Sequence, residues 1–356
     1  PCTNEGVRMF SLFSNKGPKR LSIKGIEQVI EVQAKETILQ AALRSDIAFP
    51  HSCRVGGCAA CKCKLASGRV KELIESSYVL SAEELSQGYI LACQSVPKGD
   101  ISIEVPIDSH TSQFEISALT GSIVKQHSLT HDITALEIEL PKALPFASGQ
   151  FANISLPGLS DASRSYSFSR PFHINKNHIQ FFIKHVSGGE LSPIVTQQDL
   201  VGQQVQVEGP YGDFYLREGQ CPIICIAGGS GLAPVKALLE QALSENICRD
   251  VTFIFAARTQ QDLYCLEEIK TLEENWPANF KFVAVLSDEP QDSNWSGRRG
   301  YVTDIMPDFL SGNEQAYLCG PPLMINAAVD TLRKYSITAN NIFFDKFTTK
   351  AHVAAA

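Results

Sequence analysis

No run of about 18 consecutive apolar residues occurs in the chain, so no segment is long enough to cross a bilayer as a helix. The start also lacks an apolar core closed by a small-residue cleavage site, the mark of a secretory leader. An excess of positive charge is missing as well: 31 Lys and Arg face 38 Asp and Glu, a formal net charge of −7. That balance argues against nucleic acid as the main partner and for a protein or a small molecule. There is no internal repeat and no low-complexity segment. The eleven cysteines are odd in number, clustered and set in a large acidic chain, which excludes a small disulfide scaffold. A reducing, cytoplasmic setting is expected.

What is present reads as globular. Hydrophobic residues make up 44% and charged residues 19% of 356, a length that implies two or three domains at about 100–200 residues each. Three are expected. Residues 1–20 read as a frayed tail, locally basic through Arg8, Lys16, Lys19 and Arg20, and 348–356 as a second tail. From Leu21, short β-like runs lead to Thr37-Ile38-Leu39-Gln40, a capping box that opens a helix ended by Pro50. Ser81-Ala82-Glu83-Glu84 is a second capping box, followed by strand-like Tyr89 to Leu91 and Ile101 to Val105. This makes a small α+β domain over 21–107, with a polar linker at 108–113.

Between 114 and 217 the pattern is alternating strands broken by Gly and Pro, as in Ile133 to Leu140, Phe151 to Leu156 and Ile179 to Val186. Many short strands with turn punctuation predict an antiparallel β-barrel. From 218 to 347 a strand-then-helix rhythm takes over, with Ile223 to Ala227, Val251 to Ala257, Phe282 to Leu286 and Ala316 to Leu318 as strands. That alternation predicts an α/β domain with a doubly wound parallel sheet.

Cys53-x4-Cys58-x2-Cys61 with a distant Cys93 has the plant-type spacing of a 2Fe-2S cluster. Four thiolates must converge on two irons, so one tight loop supplies three and a remote segment brings the fourth. Gly56 and Gly57 sit where side chains would crowd the cluster, and they leave N–H groups free for the sulfurs. Structural zinc more often pairs two close Cys-x2-Cys knuckles, and Cys93 has no second cysteine beside it. Cys63, Cys2, Cys221, Cys225, Cys248 and Cys265 read as small buried residues.

Arg164-Ser165-Tyr166-Ser167 is followed about twenty residues later by His185-Val186-Ser187-Gly188-Gly189-Glu190-Leu191-Ser192. The apolar strand 223–227 runs into Gly228-Gly229-Ser230-Gly231, a turn through which backbone can approach a pyrophosphate at a helix start. Near the end stand Cys319-Gly320-Pro321-Pro322 and Ile342-Phe343-Phe344-Asp345-Lys346-Phe347. Alone, each motif would fit an ordinary turn or strand. Together they resemble the ferredoxin–NADP reductase superfamily, over about Leu21 to Phe347.

That resemblance implies a β-grasp ferredoxin domain, a six-stranded FAD-binding barrel and a C-terminal NAD-binding domain. It implies that Arg164 neutralises the flavin pyrophosphate, that Tyr166 packs on the isoalloxazine, and that Ser167 hydrogen-bonds near N5. Ser165, His185, Val186, Gly188, Gly189, Leu191 and Ser192 would complete the flavin site, with Phe347 beside the ring. Gly228, Gly229, Ser230, Gly231, Gly320 and Pro321 would hold the dinucleotide, and Cys319 would lie beside the nicotinamide C4. Asp345 stands where the family more commonly has glutamate. A dinucleotide fold reads NAD through an acid and NADP through an arginine. After the second strand come Arg258 and Asp262, one of each, in a segment similar to the NADH-using oxygenase reductases, so NADH is expected over NADPH.

The domain order resembles the reductase components of bacterial hydrocarbon and aromatic oxygenases. Phe49 to Gly56 and Ser67 to Leu73 resemble the xylene monooxygenase reductases in particular. The implied function is NADH-driven electron transfer through FAD and the 2Fe-2S cluster to a terminal oxygenase of membrane di-iron, soluble di-iron or Rieske type. A monomer is expected, cytoplasmic and peripherally associated where the oxygenase is membrane-bound. The alternatives are a stand-alone flavin or dye reductase and a zinc-binding structural protein.

Overall fold

The computed structural model describes residues 18–45, 47, 49–51, 56, 61–80, 82–105, 114–159 and 163–347. Two compact units divide the chain, one built from the elements between Lys19 and Glu104, the other from those between Ser117 and Lys346.

In the first unit the elements run β1 (Lys19–Ile23), β2 (Ile30–Val32), α1 (Ile38–Arg44), β3 (Lys62–Ser67), β4 (Val70–Glu72), α2 (Ala82–Ser86), β5 (Tyr89–Leu91), β6 (Ser95–Pro97) and β7 (Ile101–Glu104). The main sheet has the order β2-β1-β7-β3-β5. β1 lies antiparallel to β2 and parallel to β7, with Leu21 opposite Ile101. α1 starts as the sequence predicts: Thr37 Oγ1 accepts the Gln40 N–H at 3.2 Å, and Gln40 Oε1 accepts the Thr37 N–H at 2.9 Å. The helix packs Ile38, Leu39, Ala41 and Ala42 into the core. It ends earlier than expected, at a Ser45 cap whose N–H returns to the Ala41 and Ala42 carbonyls, so Pro50 is not the terminator. Ser81, the start of the second capping box, lies outside the described residues, as do the linker 108–113 and both tails but for Pro18 to Arg20.

The second unit opens with β8 (Ser117–Ser128), β9 (Ile133–Glu139), β10 (Phe151–Ser155), β11 (Arg164–Ser167), β12 (His178–Lys184), α3 (Ser192–Gln197) and β13 (Gln204–Tyr211). The six strands pair antiparallel in the order β11-β10-β13-β8-β9-β12. A bridge between Phe168 and Phe181 joins the two ends and nearly closes the barrel. Alternation supplies its core: Leu119 and Ile123 of β8 point inward beside Ile138, Ile154 and Phe181. Phe146 stacks on Phe168, ring centroids 3.7 Å apart.

The unit continues with β14 (Ile223–Gly228), α4 (Leu232–Ser244), β15 (Val251–Ala257), α5 (Leu266–Asn275), β16 (Phe280–Leu286), β17 (Arg298–Arg299), α6 (Val302–Ile305), β18 (Gln315–Gly320), α7 (Pro322–Lys334) and β19 (Ile342–Lys346). All six strands are parallel, in the order β17-β16-β15-β14-β18-β19. β14 and β18 are buried at every position, as expected of central strands covered on both faces. The sequence reading missed β17 and β19: the first has two residues, and the second, Ile342-Phe343-Phe344-Asp345-Lys346, has no clean alternation and gains its identity by pairing with β18.

The chain winds from β14 outward through β15 and β16, then returns to β18 on the other side of β14. In open α/β sheets such a switch point leaves a crevice at the carboxyl ends of the strands, where ligands bind. The sheet's core is continuous with the barrel: Ile133, Ala135 and Phe182 pack with Cys225, Ala227, Phe253, Tyr317 and Cys319.

Candidate functional site

Cys61 and Cys93 are brought together by strand pairing. β3 and β5 run antiparallel with Lys62 opposite Leu91, so a residue just before β3 meets one just after β5. The Cys93 N–H donates to Cys61 Sγ at 3.4 Å, Gln94 Nε2 lies 3.8 Å from Cys93 Sγ, and the Ala92 N–H donates to the Cys61 carbonyl at 3.0 Å. Both cysteines are buried. N–H groups aimed at sulfur are the surroundings an iron–sulfur cluster requires, so these residues fit one. Gly56 has φ +83, and a Cβ there would collide with Ile74 Cδ1 and come within 2.8 Å of Gln94 Cγ, so glycine is needed for both reasons. The remaining expected ligands, Cys53 and Cys58, and Gly57 lie outside the described residues.

Among the other cysteines, Cys63 is fully buried, and burial pushes its thiol up to about 12. Cys225 is also buried. Cys221 and Cys265 are half-buried, and Cys248 is exposed, so the small-buried reading fails for it; Cys2 lies outside the described residues. Cys248 follows α4 on the connection to β15, outside the apolar core.

The flavin motif occupies β11 and the turn from β12 into α3. Arg164 is ion-paired with Glu190 and donates Nη1 to the Ser163 carbonyl at 2.8 Å. Both partners are partly exposed, so the pair can open toward a phosphate. Ser165 Oγ donates to Asn153 Oδ1 at 2.8 Å across the β10–β11 ladder. Tyr166 keeps its phenol proton, because burial raises its pKa and the opposing Arg164 charge offsets little of that. Ser167 is buried opposite Phe151. The Thr196 hydroxyl donates to the Ser192 carbonyl at 2.8 Å, so its oxygen accepts from His185 Nδ1, also at 2.8 Å. The Val186 N–H donates to Ser192 Oγ at 3.1 Å, which leaves the serine proton to donate. Gly188 and Gly189 form the intervening turn, and Leu191 is buried against the barrel core.

At the switch point, Gly228 ends β14 and Gly229-Ser230-Gly231 turns into α4. A Cβ on Gly231 would collide with the Cys319 carbonyl and lie 2.8 Å from Gly320 N. A Cβ on Gly228 would meet Met324 Sδ at 2.7 Å and Pro321 Cδ at 3.0 Å. These glycines therefore serve the close packing of two strand ends as well as any approach of a phosphate. Gly231→Ala is expected to destabilise the protein by about 1–3 kcal/mol, the usual penalty of overpacking, as read by a thermal melt of the holoprotein. An unchanged melting temperature would refute the close-packing account.

Cys319 is fully buried, and burial with the Asp345 charge opposite it in register raises its thiol pKa well above the ordinary value. The Phe347 N–H donates to the Gly320 carbonyl at 2.9 Å, and Pro321 is the N-cap of α7. Arg258 is exposed at the end of β15. Asp262 is half-buried: its Oδ2 accepts the Thr259 N–H at 2.8 Å and hydroxyl at 2.9 Å, a capping role that sequence reasoning missed. Lys184 was also missed. It ends β12, pairs with Asp132 at 2.7 Å and brings its Nζ to 3.9 Å from where a Cβ on Gly229 would lie.

The chain matches the 2Fe-2S iron-sulfur cluster binding domain family over residues 21–98, the oxidoreductase FAD-binding domain family over 120–215 and the oxidoreductase NAD-binding domain family over 225–330. It is 39% identical to the xylene/toluene monooxygenase electron transfer component XylA of Pseudomonas putida, over 97% of this chain and 98% of that one. The chain belongs to the oxygenase reductase components.

Other members resemble it at similar length. The reductase component DmpP of phenol 2-monooxygenase from Pseudomonas sp. (strain CF600) is 34% identical over 93% of this chain and 95% of its own. The crystal structure of the Amycolatopsis cytochrome P450 reductase GcoB superposes with a TM-score of 0.75 at 31% identity, covering 93% of this chain and 99% of that one. As an oxygenase reductase component the protein is an NADH-dependent oxidoreductase that uses FAD and a 2Fe-2S cluster, which fits the cysteine pair and the switch-point crevice. Among the described residues no helix is long and apolar enough to cross a membrane.

Proposed function

We propose that the protein delivers electrons from NADH to the terminal oxygenase of a hydrocarbon or aromatic oxygenase system, of membrane di-iron, soluble di-iron or Rieske type. The observation that carries this is the presence of all three redox modules in one chain, similar over 97% of this chain to a xylene/toluene monooxygenase electron transfer component. We further propose domain limits of 21–107, 114–217 and 218–347, a monomer, and a cytoplasmic location, peripheral to a membrane where the oxygenase is.

A nicotinamide gives two electrons as hydride, a 2Fe-2S cluster takes one at a time, and a flavin converts between them. The chain's own residues bind, orient and exclude. Cys53, Cys58, Cys61 and Cys93 hold the cluster. Arg164, released from Glu190, meets the flavin pyrophosphate, while Ser192 and the Gly188-Gly189 turn supply further donors. Tyr166 packs on the ring as a neutral phenol, and Ser167 donates near N5. The glycine turn 228–231 and Pro321 shape the dinucleotide's path, and the neutral thiol of Cys319 sets where the nicotinamide rests. Asp345 and Phe347, at the end of β19, bound the site.

The test is NADH-driven product formation with candidate oxygenases. Rapid dye reduction without turnover by any of them would favour a stand-alone reductase. Arg164→Ala is expected to weaken flavin retention, because the pyrophosphate loses a charge-assisted partner. Unchanged flavin content after extensive dialysis would remove Arg164 from that role.

A further inference from the structure

We propose that Glu289 makes the protein select NADH over NADPH, its fixed carboxylate standing where the additional 2′-phosphate of NADPH has to lie. This deepens the reading of the parallel sheet as the nicotinamide dinucleotide site and rests on it. The glycine turn lies at the end of β14, and Cys319 lies on β18 to one side. A dinucleotide with its pyrophosphate on that turn and its nicotinamide half over β18 extends its adenosine half the other way. It then runs over the ends of β15 and β16, on strands about 4.8 Å apart. The groups that meet the adenosine ribose thus come from the loops after those two strands.

Those loops are clasped together by Glu289. Its Oε2 accepts the Gln260 N–H at 2.8 Å and its Oε1 accepts Gln260 Nε2 at 2.6 Å. The second proton of that amide goes to Asn294 Oδ1 at 3.1 Å, so both protons of the Gln260 side-chain amide are used and the group is held. The Asp288 N–H donates to the Arg258 carbonyl at 2.9 Å, a second tie between the loops. Arg299 folds back on its own loop, donating to the Glu289 carbonyl, Ser293 Oγ and the Trp295 carbonyl, each at 3.1 Å.

The donors on the Glu289 carboxylate are therefore the two Gln260 amide groups and the Ser293 hydroxyl, with the Arg299 charge acting on it from its own loop and no cation hydrogen-bonded to it among the described residues. They fix its position and hold its pKa below the usual carboxylate value, but they leave its charge in place. A fixed carboxylate can accept from a ribose 2′-hydroxyl, whereas it repels a phosphate. Arg258 makes the opposite case: it is exposed, and its side chain has no hydrogen-bond or ion-pair partner among the described residues. With Asp288 and Glu289 beside it, the balance at the 2′ position favours the hydroxyl. Gln260 is the positioning residue of the pair.

The experiment compares steady-state ferricyanide reduction by NADH and NADPH in the holoprotein, with flavin content checked in each variant. Wild type is expected to prefer NADH. Glu289→Gln keeps an acceptor for the Gln260 N–H and removes the charge, so the NADPH-to-NADH ratio of kcat/KM should rise on the order of 10-fold, the scale of one like-charge contact near a surface. The gain should lie in the KM for NADPH, because hydride transfer takes place at the other end of the dinucleotide. Glu289→Asp should stay near wild type, and adding Arg258→Ala to Glu289→Gln should cancel the gain. A wild type that prefers NADPH, an unmoved ratio in Glu289→Gln, or an equal shift in Glu289→Asp overturns the assignment alone. A wild type whose flavin is reduced by neither nucleotide overturns the electron-transfer reading and the assignment with it.

Discussion

Cys93→Ser is expected to reduce NADH-driven cytochrome c reduction to background while ferricyanide reduction continues close to the wild-type rate. Cys93 is the proposed ligand from outside the cysteine loop, and its own N–H donates to Cys61 Sγ, so in that role it would serve the cluster both as an electron donor and through its hydrogen bonding. A serine offers a hard, weakly acidic oxygen where iron–sulfur clusters require soft thiolate. The residue is buried, which leaves little room for water to substitute. The flavin and dinucleotide residues belong to the other compact unit, which has its own core, and should keep their cofactors. The visible spectrum should then lose the iron–sulfur absorption and retain the flavin bands. Cytochrome c reduction at the wild-type rate in protein that lacks iron would sink the proposed electron order.

The cluster and the fold classes were legible because their signals are local. Cysteine spacing, the Thr37–Gln40 box and the apolar run of β14 can each be read from the sequence directly, and the box and the strand lie where they were expected. What was not legible depends on partners far along the chain. β19 becomes a strand by lying beside β18, and Gly231 is demanded by the backbone of Cys319, 88 positions later (319 − 231). Asp262 is a different kind of miss. Thr259-x-x-Asp262 follows the same rule as the first helix cap, so its structural role could have been read before a ribose was assigned to it. Likewise the early end of α1 at Ser45 needs no proline, since the cap's N–H already returns to the helix carbonyls.

Cys319→Ala is expected to slow stopped-flow reduction of the flavin by NADH by one to two orders of magnitude, the scale on which a misplacement of about 1 Å affects an oriented transfer. The thiol sits at the carboxyl end of β18, with Ala227 of β14 on one side and Asp345 of β19 on the other, so the sheet holds it at the switch point. Burial and the Asp345 charge keep it protonated, which makes it a shaped, polarisable surface rather than a nucleophile. The wild-type rate should accordingly show no step from thiol ionisation across neutral pH. Removing the sulfur leaves the core around Phe182 and Tyr264 in place but gives the nicotinamide room to settle off the line of transfer. Cys319→Ser restores most of the volume and should recover part of the rate. NADH affinity should change much less than the rate, because the pyrophosphate and ribose contacts proposed for it lie around β14, β15 and β16. A variant that reduces its flavin at the wild-type rate and loses only thermal stability would show that Cys319 is a core residue with no part in positioning hydride.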